Sequence, residues 1–540
     1  MRQKTFVPGV SLESNTVYTG SASEYHIWLD DTVKKSGYGC DASGSELAIA
    51  LFMDGLENVT IDLNGATLVL HGRIAPVVAT HCRNIVLKNF NIDYDRPYYS
   101  QGELLAIDAN GIKLKWDGKN FPYKVVDGVP YAVSETWEQP LNTRHMLWQP
   151  FDPVTRAPAE NAGCILSVFG KNEDDKNPPL PITHMELVSV EDDVFDIKGE
   201  FPATWQKGMI IAMTHERRDK DSIFVEYCEN VTVERVRLIH GASMGFTAIF
   251  CQDILLRHFD MYLDERTRGL VSINADGVHA FHCSGKFIIE DCIFENMLDD
   301  AVNIHGNYNI VDSCSGNIIK ASAPGHDAGT IKWYQAGDIL AIHKGRTQEV
   351  RNAVTVKDVV YNSDDTMEIT AEDVFSAEPG DIIENLAMPE LTIRRCISGN
   401  NRPRGFLLSS GGKTLVEDCY FHNCSTGIHF TGDTTYWYES GPVKDVTIRH
   451  CHFRDCGYCG DSYAIAADPQ VEFSEAEPVY HKNILIEDNI FASFSNAAIR
   501  MNYCGNVTFR NNTIIHTNTY TDRNDEPVIL NNCIDCNITK

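Results

Sequence analysis

The chain lacks the features that would tie it to a membrane, to nucleic acid or to a disulfide scaffold. No apolar run approaches the roughly 20 residues that a membrane helix requires. The opening Met1-Arg2-Gln3-Lys4-Thr5 has no apolar core of the kind found in a secretory signal. Basic residues are scarce: 46 Lys and Arg stand against 75 Asp and Glu, for a formal charge of −29. Such a surface repels nucleic acid and anionic lipid and disfavours polyanionic substrates. Low-complexity tracts and blocks of like charge are missing, which argues against disorder. No long amphipathic helical pattern is visible either. The 17 Cys are an odd number in 540 residues, unlike a small disulfide-built domain. Cys456-Gly457-Tyr458-Cys459 is half of a zinc site, but no second Cys-x-x-Cys or His pair at finger spacing accompanies it.

What the chain does have is a repeat. An apolar–polar alternation, a polar pair, a small residue and an aromatic recur: Phe287-Ile288-Ile289-Glu290-Asp291-Cys292-Ile293-Phe294, Leu415-Val416-Glu417-Asp418-Cys419-Tyr420-Phe421 and Val446-Thr447-Ile448-Arg449-His450-Cys451-His452-Phe453. Asn489 and Asn512 fill the Cys slot in two later copies, and weaker copies begin at Val59, Ile85, Val231, Ile254 and Leu391. Cys396 and Cys419 are 23 residues apart, as are Asn489 and Asn512, and longer spacings hold loop insertions. Period-2 alternation, β-branched residues and a repeat near 23 predict short strands stacked as a right-handed parallel β-helix, an all-β solenoid. A second ladder follows within each coil: Gly277-Val278-His279-Ala280-Phe281, Ala301-Val302-Asn303-Ile304-His305, Gly405-Phe406-Leu407-Leu408-Ser409. A small residue opens each copy, as a tight corner would require. The Cys slot reads as an interior ladder of buried thiols. Asn-Val-Thr at Asn58, Asn230 and Asn506 matches a glycosylation acceptor, but each triplet stands where a strand begins, which better accounts for it.

Two stretches break the rhythm and predict small antiparallel β-barrels inserted into the solenoid. The expected division is N-terminal coils over 1–96, a barrel-like insert over 97–222, central coils over 223–311, a second barrel over 312–389 and C-terminal coils over 390–540. In the second insert, strands are expected at Gly329–Trp333, Asp338–Ile342, Ala353–Val360 and Asp381–Ile383. The phrases Gln206–Ala212 and Gln335–Ala341 are related.

Asn274-Ala275-Asp276-Gly277 and Leu298-Asp299-Asp300-Ala301 are separated by one coil. Parallel strands lie about 4.8 Å apart, so Asp276, Asp299 and Asp300 should share a patch on adjacent rungs. Neighbouring residues of a regular strand point to opposite faces. Both members of the Asp pair can face outward only at a corner or bulge. Three carboxylates this close retain a proton, giving an acid beside ionised bases, the division of labour that glycosidic cleavage needs.

Across Asp264-Glu265-Arg266-Thr267-Arg268-Gly269, Asn274 to His279 and Asn296 to Gly306, the chain resembles glycoside hydrolase family 110, the bacterial exo-acting α-1,3-galactosidases. The resemblance extends along nearly the whole length. It implies removal of terminal α-1,3-linked galactose from glycans such as the blood-group B antigen, and from linear α-1,3-galactosyl ends, with inversion and without a metal or other cofactor. Carried over by position, Asp299 is the general acid, and Asp276 and Asp300 hold and activate water. Glu265, Arg266, His279, Asn303, His305, Arg402 and Arg404 are candidates for gripping the sugar, with Trp437 as an aromatic that stacks on it.

Three other readings remain. A polygalacturonase-like hydrolase shares the Asp and Asp-Asp arrangement, but its Arg-Ile-Lys segment is missing here. A β-helix lyase would need a Lys, Arg or His base and often calcium. A non-catalytic glycan-binding solenoid would bind without turnover. The expected partner is a glycan with terminal α-galactose. No nucleic acid or membrane span is expected, and an open solenoid side admits a homodimer. The many Cys and missing signal fit a cytoplasmic bacterial enzyme; export with the signal already removed fits as well.

Overall fold

In a strand, alternating side chains point to opposite faces, and here the apolar set lines the inside of a coil. The computed structural model describes residues 1–38, 46–142, 146–170, 182–215, 218, 220–324, 332–345, 348–362, 366–460, 462–470 and 479–539. Three parallel sheets run along the molecule as the faces of a β-helix. On the longest face, Val59, Ile85, Val231, Ile254, Phe287, Leu391, Thr414, Val446, Ile484 and Val507 stand in register, one per rung, all buried. The second face stacks Val77, Ile223, Phe246, Val278, Val302, Phe406, Ile428, Ile465 and Ile499. The third has six short strands from Ile293–Glu295 to Thr513–His516. There Phe421, Phe453 and Phe491 stack face to face, with centroids 4.7 and 5.0 Å apart. One apolar cluster fills the interior through all these rungs. Among the described residues the helical content is the single 3-10 turn Leu29–Asp31, and no helix is long and apolar enough to cross a membrane.

Residues at the corners show why particular types recur. Cys292, Cys396, Cys419 and Cys451 are buried free thiols, each donating to the carbonyl two residues back. Asn58, Asn84 and Asn230 have φ of 56°, 56° and 58°, a left-handed conformation that Asn tolerates better than most residues. Their amides form a ladder, Asn230 to Asn84 at 2.7 Å and Asn84 to Asn58 at 2.8 Å. Asn506, with φ of 54° and its amide 2.8 Å from Asn483, repeats the pattern, so a backbone role accounts for all three Asn-Val-Thr triplets. The small residue that opens each second-ladder strand answers a different need from the expected tight corner. A Cβ on Gly277 would stand 2.6 Å from the Ala301 carbonyl, and one on Gly405 would stand 2.3 Å from that of Gly427. Close approach of the next rung excludes the side chain.

On the outward side of the longest face, register aligns Asp62, Lys88, Glu234, Arg257, Glu290, Arg394, Glu417, Arg449, Glu487 and Arg510. The sign of charge alternates at every rung. Contacts include Lys88–Asp62 at 3.2 Å, Arg394–Glu290 at 2.6 Å, Arg449–Glu417 at 2.7 Å and Arg510–Glu487 at 2.7 Å. Like charges stacked about 4.8 Å apart would repel, so alternation is the arrangement a parallel stack tolerates.

Seven strands between Tyr99 and Thr214 close into a barrel around Trp116, Trp148 and Trp205. Leu298, beside the Asp pair, packs with Tyr99, Phe151 and Leu270 where this barrel meets the coils. The strand Val302–Ser315 belongs to two structures. Its first residues are a β-helix rung, and its remainder pairs with Ile318–Ser322 and Ile382–Asn385 in a second closed barrel. Ile339–His343, Val350–Tyr361 and Thr366–Ala371 complete that barrel. Of the strand expected at Gly329–Trp333, residues 329–331 lie outside the described residues, while Lys332 and Trp333 are not in a strand. Trp333 nevertheless reaches the barrel core.

Candidate active site

Val278 pairs with Val302 and Val302 with Phe406, so the residues two positions upstream, Asp276, Asp300 and Arg404, stand at equivalent points of three rungs. The Gly277 N–H donates to the Asp300 carbonyl at 2.8 Å and ties the first two rungs together. Leu298 and Asp299 form a bend between two sheets. At this corner the strand's alternation is suspended, so Asp299 and Asp300 both reach the same hollow. One oxygen from each of Asp276, Asp299 and Asp300 lies within 4.8 Å of the other two. Asp276 and Asp300 are fully buried, while the side chain of Asp299 is 22% exposed.

Guanidinium groups face two of the three acids. Arg404 Nε is 2.7 Å from Asp300 Oδ1. Arg402 and Arg218 flank Asp299 at 3.3 and 3.4 Å, and Arg402 also donates to the Leu298 carbonyl at 2.7 Å. Asp276 pairs instead with His279, whose Nδ1 is 2.7 Å from Asp276 Oδ2. Burial, reinforced by the charge of Asp299, pushes Asp276 up to about 8. Burial also raises Asp300, against the pull of Arg404. Arg404 is held protonated by Asp300 despite its own burial. Among the described residues, five carboxyl groups and three guanidinium groups line the hollow. It is electrically neutral when two of the acids keep their protons.

The cavity is about 330 Å³, small for a ligand pocket and of monosaccharide scale. Leu147 and Leu166 of the first barrel form one wall, and the stretch from Thr431 to Glu439 forms another. In that stretch the Asp433 carboxylate accepts the N–H groups of Thr435 at 2.6 Å, Tyr436 at 3.2 Å and Trp437 at 2.5 Å. Asp433 is thereby a turn-forming residue that presents Trp437 to the cavity. Three buried acceptors, Asp276 Oδ1, Asn274 Oδ1 and Asn303 Oδ1, have no hydrogen-bond partner among the described residues. A buried acceptor without a donor is costly, and all three residues line the cavity, which suits a ligand rich in hydroxyl groups. Oxygen ligands this close could also gather a hard cation. Arg218, Arg402 and Arg404 already direct positive charge at two of the carboxylates, however, so the cluster is electrostatically complete without one.

The cavity brings together Asp276, Asp299, Asp300, His279, Asn303, Arg402, Arg404 and Trp437. His305 lies behind them, bonded to His279. Glu265 and Arg266 fall outside. Arg266 pairs with Asp264 at 3.0 Å and borders a separate groove with Arg235, Arg237 and Tyr262. The corner that carries them is stapled by the Arg237–Asp264 ion pair, which turns the segment away. Residues found only in three dimensions are Arg218, Asp433, Glu439, Gln470, Leu147 and Leu166. Asn274 opens the Asn274-Ala275-Asp276-Gly277 motif, and that position is the sequence signal for its place in the cavity.

The family described as GLAA-B beta-barrel domain I matches residues 100–211, and the right-handed beta helix region matches 356–476. The chain is 28% identical to an alpha-1,3-galactosidase B of Bacteroides thetaiotaomicron, covering 92% of this chain and 80% of that one. It is 29% identical to an alpha-1,3-galactosidase A of Shewanella woodyi, with the same coverage. An alpha-1,3-galactosidase A of Bacteroides fragilis is 27% identical over 94% of this chain and 84% of its own. Among solved structures, a family 28 exopolygalacturonase of Yersinia enterocolitica aligns with a TM-score of 0.36 and 10% identity, covering 99% of this chain and 71% of that one. Fold, pocket and relatives together define a glycosidase built on a right-handed parallel β-helix. Within that class the chain is similar to curated alpha-1,3-galactosidases A and B, at 27–29% identity over more than nine-tenths of its length.

Proposed function

We propose that the protein is an exo-acting, inverting α-1,3-galactosidase that removes terminal galactose from glycans such as the blood-group B antigen and linear α-1,3-galactosyl ends. The observation that carries this reading is a monosaccharide-sized cavity in which three carboxylates crowd within 4.8 Å beside unpartnered acceptors. Asp299, the most exposed of the three, protonates the leaving oxygen. Asp276 and Asp300 hold and activate the water. Asn274, Asn303, Arg402 and Arg404 bind hydroxyl groups, and Trp437 lies against the apolar face of the sugar. A neutral pocket holding two protons supplies the acid in its working state.

The test is galactose release from an α-1,3-digalactoside and from a blood-group B trisaccharide. Asp299→Asn should lower turnover at least about 10²–10⁴-fold, the range for loss of a general acid, with the fold intact by circular dichroism. Near-wild-type turnover would remove Asp299 as the acid. One observation favours a second stereochemical course: carboxyls of inverting enzymes usually stand roughly 6.5–9.5 Å apart and those of retaining ones about 5–5.5 Å, and the present cluster is tight. Proton NMR of the first-formed sugar decides between them. β-Galactose means inversion; α-galactose means a covalent intermediate on Asp276 or Asp300.

A further inference from the structure

We propose that His279 and His305 form a proton relay behind Asp276, so that Asp276 passes the proton of the attacking water to His279 instead of keeping it. The proposal rests on the hydrolase reading above and adds the route of the proton.

The hydrogen-bond chain has one consistent direction when both rings are neutral. His305 Nδ1 is 2.7 Å from the Gly306 carbonyl. A carbonyl only accepts, so Nδ1 carries the hydrogen. A neutral His305 then accepts at Nε2, which lies 3.0 Å from His279 Nε2. His279 must therefore donate from Nε2, which leaves its Nδ1 as an acceptor, 2.7 Å from Asp276 Oδ2. For that contact to be a hydrogen bond, Oδ2 carries a proton. The other oxygen, Oδ1, is buried, has no hydrogen-bond partner among the described residues and belongs to a residue of the cavity wall. One oxygen of Asp276 is thus committed to the histidines and the other is available to water.

The step balances. As water attacks the anomeric carbon, one of its O–H bonds breaks and the proton goes to Asp276 Oδ1. The Oδ2–H bond breaks in concert, and that proton goes to His279 Nδ1. Asp276 is neutral before and after, while His279 becomes imidazolium. The bond to the leaving oxygen breaks, and that oxygen takes the proton of Asp299. Transfer of the imidazolium proton back to Asp299 through pocket water restores the resting state. This gives a buried, protonated carboxyl a way to serve as the base's contact with water. The groups facing the relay are Asp299, Glu439, Arg218 and Arg404 around Asp276, with Glu439 3.8 Å from His305 Nε2 and His282 close by. Phe281 stacks on His305 with centroids 5.5 Å apart, and the His305 ring stands edge-on to that of His279 at 81°. His279 and His305 act through Asp276 and are positioning residues.

The test uses the whole enzyme with an α-1,3-digalactoside. His279→Gln should lower kcat about 100-fold, change KM less than about threefold, and remove the acid limb of the kcat–pH profile, because His279 accepts a proton only when it is unprotonated. A folded His279→Gln variant with unchanged kcat, or with the same acid limb, overturns the relay. Histidine 15N NMR of the wild type gives a second answer that needs no turnover. His305 is expected as the Nδ1–H tautomer and His279 as Nε2–H, and the opposite tautomer of His305 overturns the chain even if the variant does not fold. A wild type that releases no galactose defeats the galactosidase reading, while the tautomers still decide the relay.

Discussion

Two sets of charges, built from the same residue types on the same coil, are treated in opposite ways. On the outward side of the longest face, ten charged residues alternate in sign rung by rung, and all but the buried Glu290 stay partly solvated. At the corner of the central rungs, three acids of one sign are crowded and two of them are fully buried. Solvated neighbours of opposite sign gain little, because water screens them. Buried neighbours of like sign are costly enough to retain protons and to require Arg404, Arg402 and Arg218. The ladder shows what a stack of coils does with charge when only stability matters. The cluster departs from that rule, and such departures mark the places where a fold does chemistry.

The comparison can be broken from either side. The largest effect on stability is expected at Arg404→Leu, which leaves Asp300 buried beside two other acids. Breaking a buried pair on one side costs about 3–5 kcal/mol, read as a fall in the urea midpoint at pH 7. Survival of the midpoint within about 1 kcal/mol would mean that the cluster is solvated like the ladder. A smaller effect follows from Asp276. Its carboxyl titrates at about 8 in the folded chain and near 3.9 unfolded. Between those values the folded state holds a proton that the unfolded state has released, so stability falls as pH rises from about 4 to about 8. Asp276→Asn should flatten this slope in urea titrations at pH 5, 6.5 and 8; an unchanged slope would place the proton elsewhere. The smallest effect belongs to the ladder. Glu417→Gln, opposite Arg449 and Arg394, should cost at most about 1 kcal/mol. Most of that should vanish in 1 M salt, where screening acts over about 3 Å.

Much of the winding is legible in the residues. The 23-residue period and the slot shared by Cys292, Cys396, Cys419 and Cys451 place strands on rungs, and rung alignment brings Asp276 to Asp300. The charged ladder is just as legible once Glu290, Glu417, Arg449 and Glu487 are read across the repeats instead of along them. Glu265 and Arg266 belong to the same conspicuous segment as the site, yet both fall outside the cavity, and Arg266 borders another groove beside the Arg237–Asp264 pair. Arg218, Leu147 and Leu166 arrive from the first barrel and its return to the coil, segments without the repeat. Trp437 reaches the cavity through a turn made by Asp433, a local feature whose direction depends on the rungs beneath it.

What the sequence determined by itself is the coil and its register. Strand periodicity is local, and a parallel stack repeats it, so counting residues between like positions is enough to say which side chains become neighbours. What only the tertiary structure decided is the state of the three acids and the shape of the hollow. Proton occupancy depends on burial, on guanidinium groups brought in from distant segments and on a histidine pair ordered by one backbone carbonyl. Those are sums over everything nearby in space, and no local pattern in the chain encodes them.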